Sequence, residues 1–484
     1  MNLRASLLLL FILISACATP QGNPTLSELP PAAVQTASPT NTSTAITEAA
    51  ITAESQRQRI PTEYDLNVQF DYANHSLQVH EEINYSNSNS DPITELQFIV
   101  EARRLGASFS LTDLQIINGP LLSEPEFFGE ILFVPLQNPI MPGEVVQLEM
   151  EYQLVLPAGA GTLSWTDRQT NFIDWYPYIP AYINSRGWLI HEAAPVGEHE
   201  VFESANFKVH IEVSNAPASL QVAAAAAARV NGTTFDFVLK NARRFVWSAS
   251  GQYEVRDIVF EDIPVTIYYF NEHRDAAKSS LDTAKKALEI YSDLFGAYPY
   301  ESLAIVDAQF FDGMESDGLF FLDQSYFLQY NYSQRNYLTA LTAHEVAHNW
   351  WFGQVGNDQA LEPWLDEALC IYSELLYYEN FYPEMVNWWW EFRIDRFQPE
   401  GWVDSNIYNH TGFDAYVQAV YMRGAQFLQS LRNAMGDEAF FVFLRDYSAK
   451  GTGQILNKDD FFTLLKDHSR VDLDQIILEY FQER

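Results

Sequence analysis

The chain has 484 residues, 47% of them hydrophobic, which is enough to bury a sizeable core and to divide into two or three domains. Its formal charge of −36 repels nucleic-acid phosphates and anionic lipid surfaces. A nucleic-acid partner is excluded on that ground, and the exterior is read as acidic and soluble.

Residues 1–17 read "MNLRASLLLLFILISAC", with Arg4 as a positive leader and Leu7 to Ile14 as an apolar run too short to cross a bilayer as a mature helix. Ile14, Ser15 and Ala16 precede Cys17 in an order that resembles a bacterial lipobox, where the signal is cut before the cysteine and the thiol takes up lipid. The other reading is an ordinary secretory signal with an incidental cysteine. The expectation is a lipoprotein of the bacterial cell envelope, facing the periplasm or exterior, its membrane contact an anchor on Cys17 rather than a spanning helix. Cys370, the second cysteine, then has no disulfide partner, and an exported fold must rely on its core. Residues 18–59 are rich in Thr, Ser, Pro and Ala, cannot form a packed core, and read as a disordered tether reaching roughly 35 Å.

From Ile60 the pattern has period two. "YDLNVQFDY" places Leu66, Val68, Phe70 and Tyr72 on one face, "ANHS" makes a turn, and Asn231-Gly232 is a hairpin signal. Residues 60–262 are therefore expected to form an antiparallel, sandwich-like β-domain. Helical spacing takes over at Leu281, Ala284, Leu288, Tyr291 and Phe295, with Gly296 ending the run. Strands at "SLAIVDAQF" and "GLFFLD" follow, then mostly helix, with Asp437 the expected N-cap of "GDEAFFVFLRDY". Residues 263–484 form a second domain that is α+β and mostly helical.

The segment "LTAHEVAHNWWFGQV" carries the chemistry. His344 and His348 stand one helical turn apart on one face, suited to a single ion, and Glu345 can approach a water beside that ion without ligating it. Glu367 follows His348 after eighteen intervening residues, on a second helical pattern that a loop can fold back beside the first. Two neutral imidazoles and a carboxylate make a His₂Glu set that leaves one tetrahedral position for water, the arrangement of a catalytic rather than a structural zinc site. Glu374, two turns beyond Glu367, can orient a ligand histidine, or is a solvated helix glutamate.

Together, "HEVAHNWW" and "LDEALCIYSE" resemble the membrane alanyl aminopeptidase family of zinc metallopeptidases, the gluzincins. "YSDLFGAYPYESLAIVD", "FDGMESDGLFFLD" and "VYMRGAQFLQSLRNAMGDEAF" resemble that family's flanking segments in the same order. The resemblance implies a thermolysin-like catalytic domain and one zinc ion per chain, held by His344, His348 and Glu367. It implies Glu345 as general base, Tyr421 as oxyanion donor, Glu315 as partner of the substrate's α-amine, and the strand with Gly313 and Met314 as the holder of substrate backbone. The implied activity is removal of N-terminal residues from peptides outside the cytoplasmic membrane. A zinc endopeptidase and a non-catalytic binding lipoprotein are the alternatives. The family takes a further amine-binding Glu or Gln from its β-domain, for which Gln169 is the candidate. Many members continue into a helical domain that closes the cleft, whereas this chain ends at Arg484, a lipoprotein member lacking that domain. Arg423 is expected to be structural, Trp350, Trp351 and Trp388 to Trp390 to be core or cleft wall, and Cys370 a small buried hydrophobe.

Overall fold

Alternating apolar residues turn Thr62–Asp71 into a strand with Tyr64, Leu66, Val68 and Phe70 buried on one face. The computed structural model describes residues 60–184, 186–310 and 312–482. The signal segment, Cys17 and the tether lie outside the described residues. Among the described residues, no helix is long and apolar enough to cross a membrane.

The first strand sits inside a seven-stranded sheet. It pairs antiparallel with Ser76–Ser86 on one side and parallel with Ala205–Ser214 on the other. That parallel pair departs from the expected all-antiparallel domain, because a long excursion returns the chain beside its first strand in the same sense. A four-stranded sheet packs on this one, with the Trp247 ring stacked on Phe172 at 3.6 Å and meeting Phe70 edge-on at 5.5 Å. These contacts make the expected sandwich.

The second sheet begins earlier than the pattern suggests. Tyr253–Phe260 forms a hairpin with Ile263–Phe270, which pairs parallel with Leu303–Ala308. The boundary expected between residues 262 and 263 therefore falls in a hairpin turn. Period two marks a strand but not the sheet it joins. Leu303–Ala308 pairs parallel with Leu319–Asp323, and the short strand Gly313–Met314 lies antiparallel along the outer edge. Behind the sheet runs the helix Arg274–Phe295, burying Leu281, Ala284, Leu288, Tyr291 and Phe295.

Helices fill the rest. Asn336 caps Tyr337–Ala347 by accepting from Thr339 N at 2.8 Å. Trp364–Phe381 packs beside it. The expected cap at Asp437 is displaced by one residue. Gly436, at φ +81°, ends the preceding helix and caps the next, which leaves Asp437 in the first turn, bonded by Arg432 Nε at 2.9 Å. The β-rich and helical parts lie in one compact unit, Gln58–Arg484. Arg243 is one fastening between them. Its guanidinium donates to the carbonyls of Phe202 (2.9 Å), Gln454 (2.8 Å) and Phe352. Gly356 leaves room for it, since a Cβ there would overlap the guanidinium.

One buried charge site lies in the sandwich core. Glu81 faces inward between Val79 and Ile83 and is fully buried, with the Tyr152 hydroxyl its polar neighbour. Burial pushes its carboxyl well above the ordinary carboxylate range. The folded chain thus holds a proton there that the unfolded chain loses. Stability from this group is full below the unfolded value and falls as pH rises through the folded one. Glu81→Gln is expected to gain on wild type as pH rises above the unfolded carboxylate value, read as denaturant midpoints. A difference that stays constant with pH would contradict a neutral Glu81.

Candidate active site

The two histidines sit at the end of one helix. His344 lies in its last turn and His348 is its C-cap, the ring centroids 4.9 Å apart. Glu367 lies in the first turn of Trp364–Phe381 and reaches both. Its Oε2 stands 3.2 Å from His344 Nε2 and 3.6 Å from His348 Nε2. One ligand atom from each residue lies within 4.8 Å of the others, and all three residues are buried.

The outer nitrogens are held as well. His344 Nδ1 is 3.2 Å from Glu374 Oε1, and His348 Nδ1 is 3.1 Å from the Trp351 carbonyl. These partners would hold Nδ1 as the donor on both rings once a metal is bound, leaving each Nε2 lone pair for that ion. Glu374 is not a solvated helix glutamate. It is fully buried and also accepts from Trp389 Nε1 (3.0 Å) and from Arg393 Nε (2.8 Å) and Nη2 (2.7 Å). Trp389 is thus core and polar support at once, while Trp350 and Trp351 are wholly buried.

The electrostatics fit an ion. Burial pushes His348 down, which favours the neutral imidazole a metal requires. Burial works against a charge on His344 too, but its bonds to Glu367 and Glu374 prevail and raise it to about 10. In the metal-free chain a proton on His344 sits against Glu367, and a zinc ion would displace it. The donor set, its burial and the oriented rings suit one zinc ion.

Glu345 points past this cluster. Its Oε2 is buried and meets no partner. Burial raises its carboxyl well above the ordinary range, His344 opposes this, and Glu315 and Glu367 add to it. The edge strand comes close enough that a Cβ at Gly313 would overlap Glu345 Oε1. Tyr421 is carried by a π-helical turn, Gln418–Met422, and its ring lies parallel to His344 at 6.0 Å. Such turns often mark functional positions, because the extra residue re-aims a side chain. Burial and the neighbouring Glu367 keep its phenol protonated well above the usual tyrosine range.

These residues line one cavity of about 560 Å³, which also takes in Gly313, Met314, Glu315, Glu198 and Arg393. Glu315 is 4% exposed and its Oε1 accepts from Gln359 Nε2 at 3.2 Å. Burial opposes its charge, but His348 and Arg244 hold it below the ordinary carboxylate range. Gln359 also donates to Asp366 Oδ2 at 3.0 Å. Glu198 comes from the β-rich part and lies in the field of Glu315, Glu367 and Asp366. Burial and these neighbours raise its carboxyl well above the ordinary range. Gln169 does not reach this cavity. It bonds Asn171, Tyr253 and the backbone of Gln309, and Glu198 is the residue of the β-rich part that lines the cavity. Nothing periodic marks Glu198 in "VGEHEVF", and only its charge amid a β-rich stretch could have drawn notice. Cys370 is buried with its sulfur 3.8 Å from the Trp351 carbonyl, and Arg423 donates to the Glu479 carbonyl at 3.0 Å, outside the cavity.

The fold and site are thus a β-rich part followed by a largely helical part that carries the buried His₂Glu cluster. Residues 279–480 match the model described as the peptidase family M1 domain. A stretch of 218 residues is 27% identical to Aminopeptidase N of Lactobacillus delbrueckii subsp. lactis, covering 41% of this chain and 26% of that protein. Aminopeptidase M1-B of Oryza sativa subsp. japonica is 25% identical over 225 residues, 43% of this chain and 26% of its own length. The chain thus spans about a quarter of the curated relatives it matches. In fold it is similar to the M1 zinc metallopeptidase of Deinococcus radiodurans, with TM-score 0.62 and 20% identity over 88% of this chain and 94% of that one. A variant of that protein solved with a Tyr-Ser-Ala substrate gives TM-score 0.61 at 19% identity, over 88% of this chain and 95% of that one.

Proposed function

We propose that the chain is a zinc-dependent aminopeptidase. The carrying observation is the pair of cavity-lining carboxylates, buried Glu315 beside His348 and half-buried Glu198, where a substrate ammonium would complete the charge balance. His344, His348 and Glu367 would hold zinc, which when bound polarises a carbonyl and makes water acidic near neutral pH. Glu345, with its unpaired oxygen and raised affinity for a proton, takes a proton from the attacking water and passes it to the leaving amine. Tyr421, protonated and rigidly stacked, donates to the oxygen of the scissile carbonyl as charge develops there. Gly313–Met314, an edge strand, offers its free backbone to the peptide. The named relatives and the Tyr-Ser-Ala complex of the Deinococcus protein are consistent with this reading.

The test uses one peptide with a free and with an acetylated N-terminus. Removing the ammonium leaves buried carboxylates unpaired, so the free form is expected to be favoured by about a hundredfold in kcat/KM. Glu315→Gln and Glu198→Gln should each narrow that gap with zinc content unchanged. Equal rates on both forms, untouched by either substitution, would leave a zinc endopeptidase.

We propose further that Cys17 carries a lipid and holds the enzyme outside the cytoplasmic membrane of a bacterial cell, on the strength of the leader and lipobox sequence. Cys17→Ser should then yield soluble protein or uncut precursor. A normally processed variant that stays with the membranes would contradict the anchor.

A further inference from the structure

The same cavity holds an arginine to which nothing so far gives a substrate role. Arg393 is 8% exposed and lines the cavity. It sits on a π-helical turn, Trp390–Ile394, the same irregularity that carries Tyr421 on the other side. One edge of its guanidinium is spent: Nε and Nη2 bond the two oxygens of Glu374 at 2.8 and 2.7 Å. The plane lies over the Tyr337 ring, 5.4 Å from its centroid, which fixes its direction. The second edge is free. Nη1 donates to no atom among the described residues, and it is not among the buried, sealed-off polar atoms. A guanidinium offers five N–H donors in a fixed fork, so this edge keeps a complete two-pronged site for a carboxylate.

Asp312 also lines the cavity and lies in the field of Arg393, but its Oδ1 is taken up by Tyr326. Glu315 lies in the field of His348, and Glu198 lies beside Glu315. Arg393 stands on the side of His344, one carboxylate away from its ring through Glu374. A peptide whose ammonium is held by Glu315 and Glu198, with its first carbonyl at the metal centre, can run its remaining residues past His344 toward Arg393 in the same cavity. Each extended residue covers about 3.5 Å, so a C-terminal carboxylate reaches that wall after one or two further residues.

We propose that Arg393 binds the C-terminal carboxylate of the substrate, and that the preferred substrates are dipeptides and tripeptides with both ends free. This rests on the aminopeptidase reading. It goes beyond that reading by specifying the leaving side of the substrate.

The test keeps the N-terminus free throughout. Alanyl-anilide, Ala-Ala, Ala-Ala-Ala, their C-terminal amides and Ala-Asp-amide are compared on the intact enzyme. Ala-Ala or Ala-Ala-Ala should exceed its own amide by about tenfold or more in kcat/KM, the effect of one charge-assisted bidentate contact. Arg393→Gln should bring that ratio close to one. The ratio within one variant cancels any general damage from losing the bond to Glu374, and Arg393→Lys should restore part of it. The wild-type ratio decides alone if the variants do not fold. Cleavage of the anilide with equal rates on acids and amides would overturn the carboxylate site and leave the aminopeptidase reading standing. A preference for Ala-Asp-amide without one for free C-termini would overturn it too, by assigning Arg393 to an acidic side chain. No cleavage of any of these free-amine substrates would overturn both.

Discussion

Everything at the site follows from a shortage of positive charge in a dry place. Glu198, Glu315, Glu345, Asp366 and Glu367 converge around two imidazoles, and the arginines that come near, Arg244 and Arg393, are each already engaged by another carboxylate. Buried carboxylates without counter-charges are costly, and several of these respond by holding protons more tightly. A divalent ion among His344, His348 and Glu367, and an ammonium between Glu315 and Glu198, relieve that cost. An ion and an ammonium are also the two cations that the proposed zinc-aminopeptidase reading requires.

The framework makes this geometry possible through backbone irregularities rather than long regular elements. The strand Gly313–Met314 is two residues long, lies at the sheet edge, and approaches Glu345 only because residue 313 has no side chain. Two π-helical turns carry Tyr421 and Arg393 to the lining of one cavity. The sandwich contributes Glu198, and Arg243 and Arg244 tie it to the catalytic part by bonds to Asp317, Phe352 and Glu315 carbonyl or carboxylate oxygens. Stability and catalysis meet here, since the same segment that fastens the two parts also sets the charge of Glu315.

Much of this was legible in the sequence, where residue type and spacing fix the outcome locally. His344, His348 and Glu345 lie within five residues on a helix, so their mutual geometry needed no tertiary information. The helix Arg274–Phe295 was plain from its apolar spacing, and Glu374 from its place two turns beyond Glu367. What could not be read depends on distant packing. Glu198 sits in a loop with no periodicity, and its neighbour Glu315 is more than a hundred residues away. Arg393 is one charge in an aromatic run, and its aim comes from a π-turn that leaves no mark in the composition. The strand Tyr253–Phe260 was visible as a strand, but its sheet was not, because pairing is decided by partners rather than by pattern.

The most direct test of the account is metal analysis beside turnover, on wild type, Glu345→Gln and Glu367→Ala. The geometry predicts about one zinc per chain in wild type and in Glu345→Gln, with turnover lost in the latter, because Glu345 serves the proton and not the ion. Glu367→Ala should lose zinc and turnover together. A Glu345→Gln protein that has lost its zinc, or a Glu367→Ala protein that keeps both zinc and activity, would contradict the division of roles on which the account stands.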